Sequence, residues 1–287
     1  MLNGTDRIDL HMHTSVSDGT DTPEELLLRV KEAGIALFSA TDHDAVKGCT
    51  RILNARKPDD PAFLCGVEFS CKDEEGQYHI LGYGYDPDAA PINAVIDTGH
   101  AMRMRKLTGR LTFLEVQFGF TFPQKALDEL YRTDNPGKPH LGNLMVRYGY
   151  AKTRDEAIKV YLNQASFPDE YVRPETAIDA ILRSGGIPVL AHPCYGNGDQ
   201  LILGDDLDRR VQKLIGFGIR GLEAFYSGFP RKLRNAVLSL AARYDLFVTA
   251  GSDYHGKNKM IRPGDTGLLS LSEAPEALHR FLAEVLP

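Results

Sequence analysis

D-L-H-M-H-T-S-V-S-D-G, residues 9–19, sets an H-x-H pair at the end of a short alternating run and follows it with a second acidic residue. The alternation over 7–12 (R-I-D-L-H-M) predicts a β-strand. Side chains repeat every second residue there, so Asp9, His11 and His13 share one face. The same kind of signal recurs along the chain, in T-D-H-D (His43), G-V-E-F-S (Glu68), Q-Y-H-I (His79), L-A-H-P (His192) and G-S-D-Y-H-G (Asp253, His255). Together these stretches supply His11, His13, Asp18, His43, Glu68, His79, His192, Asp253 and His255. A lone histidine at a strand end is ordinarily a satisfied structural residue. Six of the chain's nine histidines gathered in such stretches read instead as a multinuclear metal site.

Imidazole and carboxylate donors without thiolate suit manganese, zinc or iron better than calcium or magnesium, and nine ligands serve two or three divalent ions. The four cysteines, Cys49, Cys65, Cys71 and Cys194, show no C-x-x-C spacing and read as reduced, buried thiols. Asp9 and Asp42 lie beside putative ligands; each either accepts a ligand's spare N–H or caps a local turn. His100 and His279 sit in helical surroundings and read as ordinary packing or surface residues.

With 287 residues and 43% hydrophobic content the chain can bury a sizeable core. No apolar run approaches the roughly 20 residues that span a bilayer, and M-L-N-G-T-D-R is not a signal peptide, so a cytoplasmic location without membrane contact is expected. A net charge of −6 argues against an extended nucleic-acid surface. It does not argue against a small phosphorylated partner, because two or three divalent ions would outweigh three carboxylates and leave the pocket positive.

Thr22, Pro23 and Glu25 mark a helix start, and Gly34 its end. The apolar run 35–41 predicts a buried strand that delivers His43. Residues 61–70 and 77–85, separated by K-D-E-E-G, predict a hairpin carrying Glu68 and His79. From 91 to 173 the texture turns helical and basic, which predicts an inserted, mainly helical subdomain between 1–90 and 174–287. Afterwards the βα rhythm returns through P-E-T-A-I-D-A-I-L-R-S-G-G, I-P-V-L-A, I-R-G-L-E-A-F-Y and L-F-V-T-A-G-S-D. This α/β alternation admits a barrel or an open doubly wound sheet. Ligand types at the ends of at least four strands favour the barrel, whose mouth gathers all such ends.

Within the helical segment, Arg103, Arg105 and Arg110 are either a solvated helix face or a phosphate clamp on a lid. In G-K-P-H (137–140), Lys138 and His140 stand at a predicted helix start, where backbone N–H groups favour an anion. Tyr226 and Ser227 end a strand and would face the same mouth.

D-L-H-M-H-T with S-D-G, T-D-H-D, G-V-E-F-S, Q-Y-H-I-L-G-Y-G, A-H-P and G-S-D-Y-H-G jointly resemble the PHP (polymerase and histidinol phosphatase) family, metal-dependent phosphoesterases related to the amidohydrolases. The resemblance implies a distorted (β/α)7 TIM-like barrel in which all nine expected ligand positions are filled. The insertion and the G-K-P-H segment are similar to a subgroup acting on small phosphorylated nucleotides or sugars, usually with G-R-P-H. Lys138 here lacks arginine's two-pronged grip. The implied reaction is hydrolysis of a phosphate monoester by a hydroxide bridging two ions. By analogy, Asp253 or His255 would guide the proton of the attacking water, and His192 or His140 would protonate the leaving oxygen. Hydrolysis of a cyclic sugar or nucleotide diester, or of short oligonucleotides as an exonuclease, is the alternative; histidinol phosphate ranks below both. A non-catalytic binding module would lack ligands, and none is lacking.

Overall fold

The computed structural model describes residues 2–167, 170–196 and 200–286. β1 (Arg7–Asp9) leads into α1 (Pro23–Glu32), which starts with the expected capping box: Glu25 N–H donates to the Thr22 hydroxyl, and Thr22 N–H donates to the Glu25 carboxylate. β2 (Ile35–Phe38) follows, then α2 (Lys47–Ala55) and β3 (Ala62–Phe63). These three strands pair in parallel in the order β1-β2-β3.

β4 (Gly66–Asp73) and β5 (Gly76–Tyr83) form the expected hairpin, and they open a second sheet of order β4-β5-β6-β7-β8. The anticipated strand over 61–70 therefore divides between the two sheets. β6 (Ile187–Leu190) pairs antiparallel with β5, while β7 (Gly221–Tyr226) and β8 (Phe247–Gly251) continue in parallel. α7 (Pro174–Arg183), α8 (Gly204–Phe217), α9 (Arg231–Arg243) and α10 (Glu276–Val285) cover this sheet.

The strands are thus bonded as two sheets, not as a single closed barrel. β1 ends at Asp9, three residues short of expectation, because the chain beyond it turns its hydrogen bonds across to the extension of β8. Leu10 N–H donates to Ala250 O (2.9 Å), His13 N–H to Tyr254 O (2.8 Å) and Asp253 N–H to His11 O (2.7 Å). At the other junction Asp44 N–H donates to Glu68 O (3.0 Å). Bridges Met12–Tyr254 and His43–Glu68 mark the two seams, and both seams are built from candidate ligands and their neighbours.

Between β5 and α7 lie the long α3 (Ala90–Phe118), α4 (Gln124–Tyr131), α5 (Lys138–Arg147), the single turn α6 (Arg154–Glu156), and a wide turn 157–161 closed by a tight one at 162–164. Ile92 and Val95 of α3 pack on the core of the large sheet. Further along, Leu107, Leu114, Leu141, Met145, Ala157 and Leu162 make a separate core of their own. Among the described residues no helix is long and apolar enough to cross a membrane.

Candidate metal centre

Glu68 is the hub of the site. Its β4 position buries the carboxylate, and Oε2 faces His11 Nε2 (3.3 Å), His13 Nε2 (3.2 Å) and His43 Nδ1 (3.2 Å). Oε1 faces His79 Nδ1 (2.9 Å) and His192 Nε2 (3.3 Å). Asp253 Oδ1 lies 3.6 Å from His11 Nε2 and 3.4 Å from His13 Nε2. On the far side Asp18 Oδ1 lies 3.2 Å from His255 Nε2 and 3.6 Å from His13 Nδ1. All nine candidate ligands therefore come together at the seams of the two sheets.

Backbone strain accompanies the convergence. His192 (φ 28°) and Asp253 (φ 58°) adopt left-handed conformations, as does Asp44 (φ 48°) beside His43. Non-glycine residues avoid this region, and strain of this kind concentrates where surrounding structure imposes it at functional sites.

The donor set fits metal ions. Donor atoms of His13, Asp18, His43 and His255 lie within 4.8 Å of one another, as do those of His11, His13 and Asp253, and those of His43, Glu68 and His79. Imidazole nitrogens confront each other at 3.2 Å (His11 and His13) and 3.3 Å (His79 and His192), a contact that a shared cation relieves. Burial acts to raise the carboxyls of Asp18, Glu68 and Asp253, yet the imidazoles facing them, and for Asp253 first the Lys259 ammonium, outweigh it and hold all three well below the usual range. Burial acts to lower His11 and His13, but the carboxylates push His13 up to about 9 and His11 well above its usual value. Burial keeps His43 and His255 low. The site is an anionic pocket that draws in positive charge.

Glu223, at the centre of β7, was not singled out by sequence. It is fully buried, its Oε1 lies 2.9 Å from His11 Nδ1, and its Oε2 accepts from the backbone N–H of His192 (2.8 Å). Gly251 makes room for it, since a Cβ there would collide with His11 Cβ and Glu223 Oε1. A carboxylate on Nδ1 leaves Nε2 free to ligate. Asp9 and Asp42 prove to be turn caps. Asp9 accepts from the backbone N–H groups of His11, Ser252 and Gly264, and Asp42 from Thr14 and Ser17. Neither reaches an imidazole.

A cavity of about 450 Å³ opens over the cluster, lined by Asp18, His43, Glu68, His79, His192, Asp253 and His255 together with Tyr226 and Lys259. Lys259, also unmarked in sequence, places Nζ 2.5 Å from Asp253 Oδ2, the oxygen to which Tyr226 Oη donates (2.9 Å). From the helical segment, Pro139, Arg154 and Ile158 complete the wall.

The other expected residues divide. Arg103 reaches the site, with Nη2 2.5 Å from Asp44 Oδ2 and 3.2 Å from Ser70 Oγ; Ser70 Oγ lies 3.3 Å from His43 Nδ1. Gly137 permits this approach, because a Cβ would press on the guanidinium. Arg105 points away to solvent, where its Nε bonds both oxygens of Glu170. Lys138 reaches Asn163 Oδ1 (2.7 Å) on the outer side of the wall. His140 accepts the Gly137 N–H at Nδ1 (3.1 Å), closing the start of α5, and burial lowers its pKa. Ser227 is half-buried and does not line the cavity.

Residues 9–137 match the PHP domain. The chain is 27% identical to a 3',5'-nucleoside bisphosphate phosphatase of Chromobacterium violaceum, with 91% of this chain and 89% of that one covered. It is 28% identical to the 5'-3' exoribonuclease Rnm of Escherichia coli, with 93% and 94% covered. Among solved structures it superposes with a TM-score of 0.81 and 28% identity on a Bifidobacterium adolescentis protein provisionally described as a metal-dependent phosphoesterase, covering 98% and 97% of the two chains.

Proposed function

The chain is a PHP-domain protein and a metal-dependent phosphoesterase, and from that premise we propose that it releases phosphate from a monoester of a small phosphorylated nucleotide or sugar. The observation that carries this reading is the convergence of nine nitrogen and oxygen donors, seven of which line one cavity together with Lys259. His13, Asp18, His43 and His255 would hold one ion, His11, His13 and Asp253 a second, and Glu68 with His43, His79 and His192 a third, as manganese, zinc or iron. Such ions supply Lewis acidity and a water activated near neutral pH. We take the two sheets, joined at the Met12–Tyr254 and His43–Glu68 seams, as a distorted barrel, with residues 91–173 as the lid over its mouth.

The chain's own groups have separate tasks. Lys259 and Arg103 offer positive charge to phosphoryl oxygens, the preorganised electrostatics on which phosphoryl transfer depends. Tyr226 and Lys259 hold Asp253 by Oδ2, which leaves Oδ1 turned to His11 and His13, where an ion would sit; Asp253 or His255 would guide the proton of the attacking water. His192, at the outer edge of the cluster and anchored through its backbone by Glu223, would return a proton to the leaving oxygen when it is not itself ligating, in which case Glu68, His43 and His79 would hold the third ion. His140 is the weaker candidate, because burial keeps its imidazole neutral. Four free thiols fit a reducing, cytoplasmic setting.

Phosphate release by the manganese-loaded protein tests the reading, across nucleoside monophosphates, 3',5'-bisphosphates, sugar phosphates, cyclic phosphates and short oligonucleotides. Turnover of one small monoester that chelation abolishes is the expected result. Silence on every monoester with cleavage of a diester would replace it with the second reading. That reading is phosphodiester hydrolysis, and it has support in the exoribonuclease likeness and in the rings of Tyr195, Tyr226 and Phe229, which pack beside His192 where a base could stack.

A further inference from the structure

Cys49 stands in the first turn of α2, shortly after His43 in the chain, and Cys65 stands just before β4, the strand that carries Glu68. The two thiols meet beside the seam that joins His43 to Glu68. Cys49 Sγ lies 3.0 Å from Gly66 O and 3.3 Å from Ala40 O, and it accepts the Gly66 N–H at 3.3 Å. Gly66 N is bonded to the carbonyl carbon of Cys65, so Cys49 Sγ lies within about 6 Å of the Cys65 α-carbon. Across the remaining gap the thiols hydrogen-bond to each other.

The four cysteines are not equivalent. Cys71 and Cys194 are buried and burial raises both thiols, to about 11 at Cys194, which leaves them neutral and inert. Cys65 is half-buried and open to a small oxidant. Its contact with Cys49 lowers its pKa, while the same contact, together with burial, raises that of Cys49. The pair therefore combines an accessible sulfur that ionises first with an adjacent one that keeps its proton, the arrangement of a sensing thiol beside its resolving partner. Turning Cys49 Sγ toward Cys65 leaves Gly66 O satisfied, because Tyr85 Oη also donates to it (2.9 Å).

We propose that Cys49 and Cys65 are a reversible disulfide site, oxidised by hydroperoxides, whose closure clamps the arm carrying His43 to the strand carrying Glu68. The Cys65 thiolate attacks one oxygen of hydrogen peroxide, the O–O bond breaks, and the departing hydroxide takes up the proton that Cys65 lost, giving a sulfenic acid and one water. Cys49 sulfur then attacks Cys65 sulfur, the S–O bond breaks, and hydroxide leaves with the Cys49 proton as a second water. The two thiols lose two electrons and the peroxide gains them; a dithiol reductant reverses the change. In the reduced protein the arm is tied to β4 by the Asp44 N–H on Glu68 O (3.0 Å) and by the Cys49 contacts, and the Val46 cap of α2 adds no side-chain hydrogen bond. A covalent link over residues 49–65 restricts the separation of His43 from Glu68, the movement by which an ion held between them would escape. The proposal rests on the metal reading of those two residues and not on which ester is hydrolysed.

The test treats the zinc-loaded full-length protein with hydrogen peroxide, to which zinc is inert. Peptide mapping under non-reducing conditions should find Cys49 joined to Cys65, and thiols titrated after unfolding should fall from four to about two and recover with dithiothreitol. Cys49→Ser should stop at a sulfenic acid on Cys65 that dimedone captures, and Cys65→Ser should give neither product. Zinc transfer to a chromophoric chelator should be at least about threefold slower from the oxidised protein than from the reduced one, and peroxide should not slow it in either variant. A disulfide to another thiol, oxidation without the linked peptide, or an unchanged transfer rate overturns the proposal. The mapping uses the wild type, so it decides the site even where a variant fails to fold. None of these measurements depends on ester hydrolysis, so a failure of the phosphoesterase reading is told apart from a failure of this one.

Discussion

Glu223 Oε1 stands 2.9 Å from His11 Nδ1 with both side chains fully buried, and its second oxygen accepts the backbone N–H of the strained His192. One carboxylate thus fixes two ligands, one beside the Met12–Tyr254 seam and one just beyond the end of β6. Glu223→Gln keeps the volume and one acceptor but removes the charge that sets the His11 tautomer. Affinity for the tightest-bound divalent ion should fall about 10–100-fold. Competition with a chromophoric chelator measures it, and saturating metal should restore much of kcat. Unchanged affinity would leave Glu223 a packing residue.

Lys259 contributes charge at the cavity wall through an ammonium 2.5 Å from Asp253 Oδ2. Lys259→Met leaves Tyr226 to hold that carboxylate, so metal content should persist while kcat drops about 100-fold, the usual loss when a preorganised charge is removed. Lys259→Arg should regain part of the rate. Elemental analysis beside steady-state kinetics separates this outcome from simple metal loss, which would lower both together.

The ligands were legible in sequence because each sits in a short word of distinctive chemistry at a strand end, and the topology had only to gather them. Glu223 was not, although its signal was present: it is the lone acid in the apolar strand L-E-A-F-Y. Lys259 lies in a loop whose composition says nothing about where it folds. α2 went unseen because it is nine residues long and its Val46 cap makes no side-chain hydrogen bond, so no start signal exists. Arg103 and Arg105 looked equivalent, yet two residues on a helix are about 200° apart, and one faces the site while the other faces water. The strand order along the chain was readable. The division into two sheets was not, because it turns on where β1 and β3 stop, and pairing alone decides that.

Metal removal should cost stability out of proportion to the number of residues involved. The clustered carboxylates and facing imidazole nitrogens repel one another without a cation. Ligand present at about 1,000 times its Kd stabilises by roughly 4 kcal/mol, and in a chain of this size each kcal/mol moves Tm by about 2–4 °C. Chelation should therefore lower Tm by on the order of 10 °C, reversibly on adding back manganese or zinc, as read by calorimetry. A chelated protein that melts with the loaded one would mean that the cluster holds no ion.

Lys106 gives a pH signature of its own. Burial lowers its pKa from 10.5 to about 7, and the nearby positive charge of Arg103 adds to the effect. Between about pH 7 and 10.5 the unfolded chain therefore binds a proton at this side chain that the folded chain does not, so stability rises with pH across that window. Below about pH 7 both states are protonated and the full penalty of the buried charge is present. Lys106→Met removes the penalty and keeps an unbranched apolar stem over Tyr171. At pH 6 the variant should be more stable than wild type by about 1–3 kcal/mol, and the advantage should shrink steadily toward pH 10. Other titrating groups are common to both proteins and cancel in the difference. Urea unfolding of the pair at several pH values measures it, and a stability difference that does not vary with pH would show that Lys106 stays charged in the folded protein throughout.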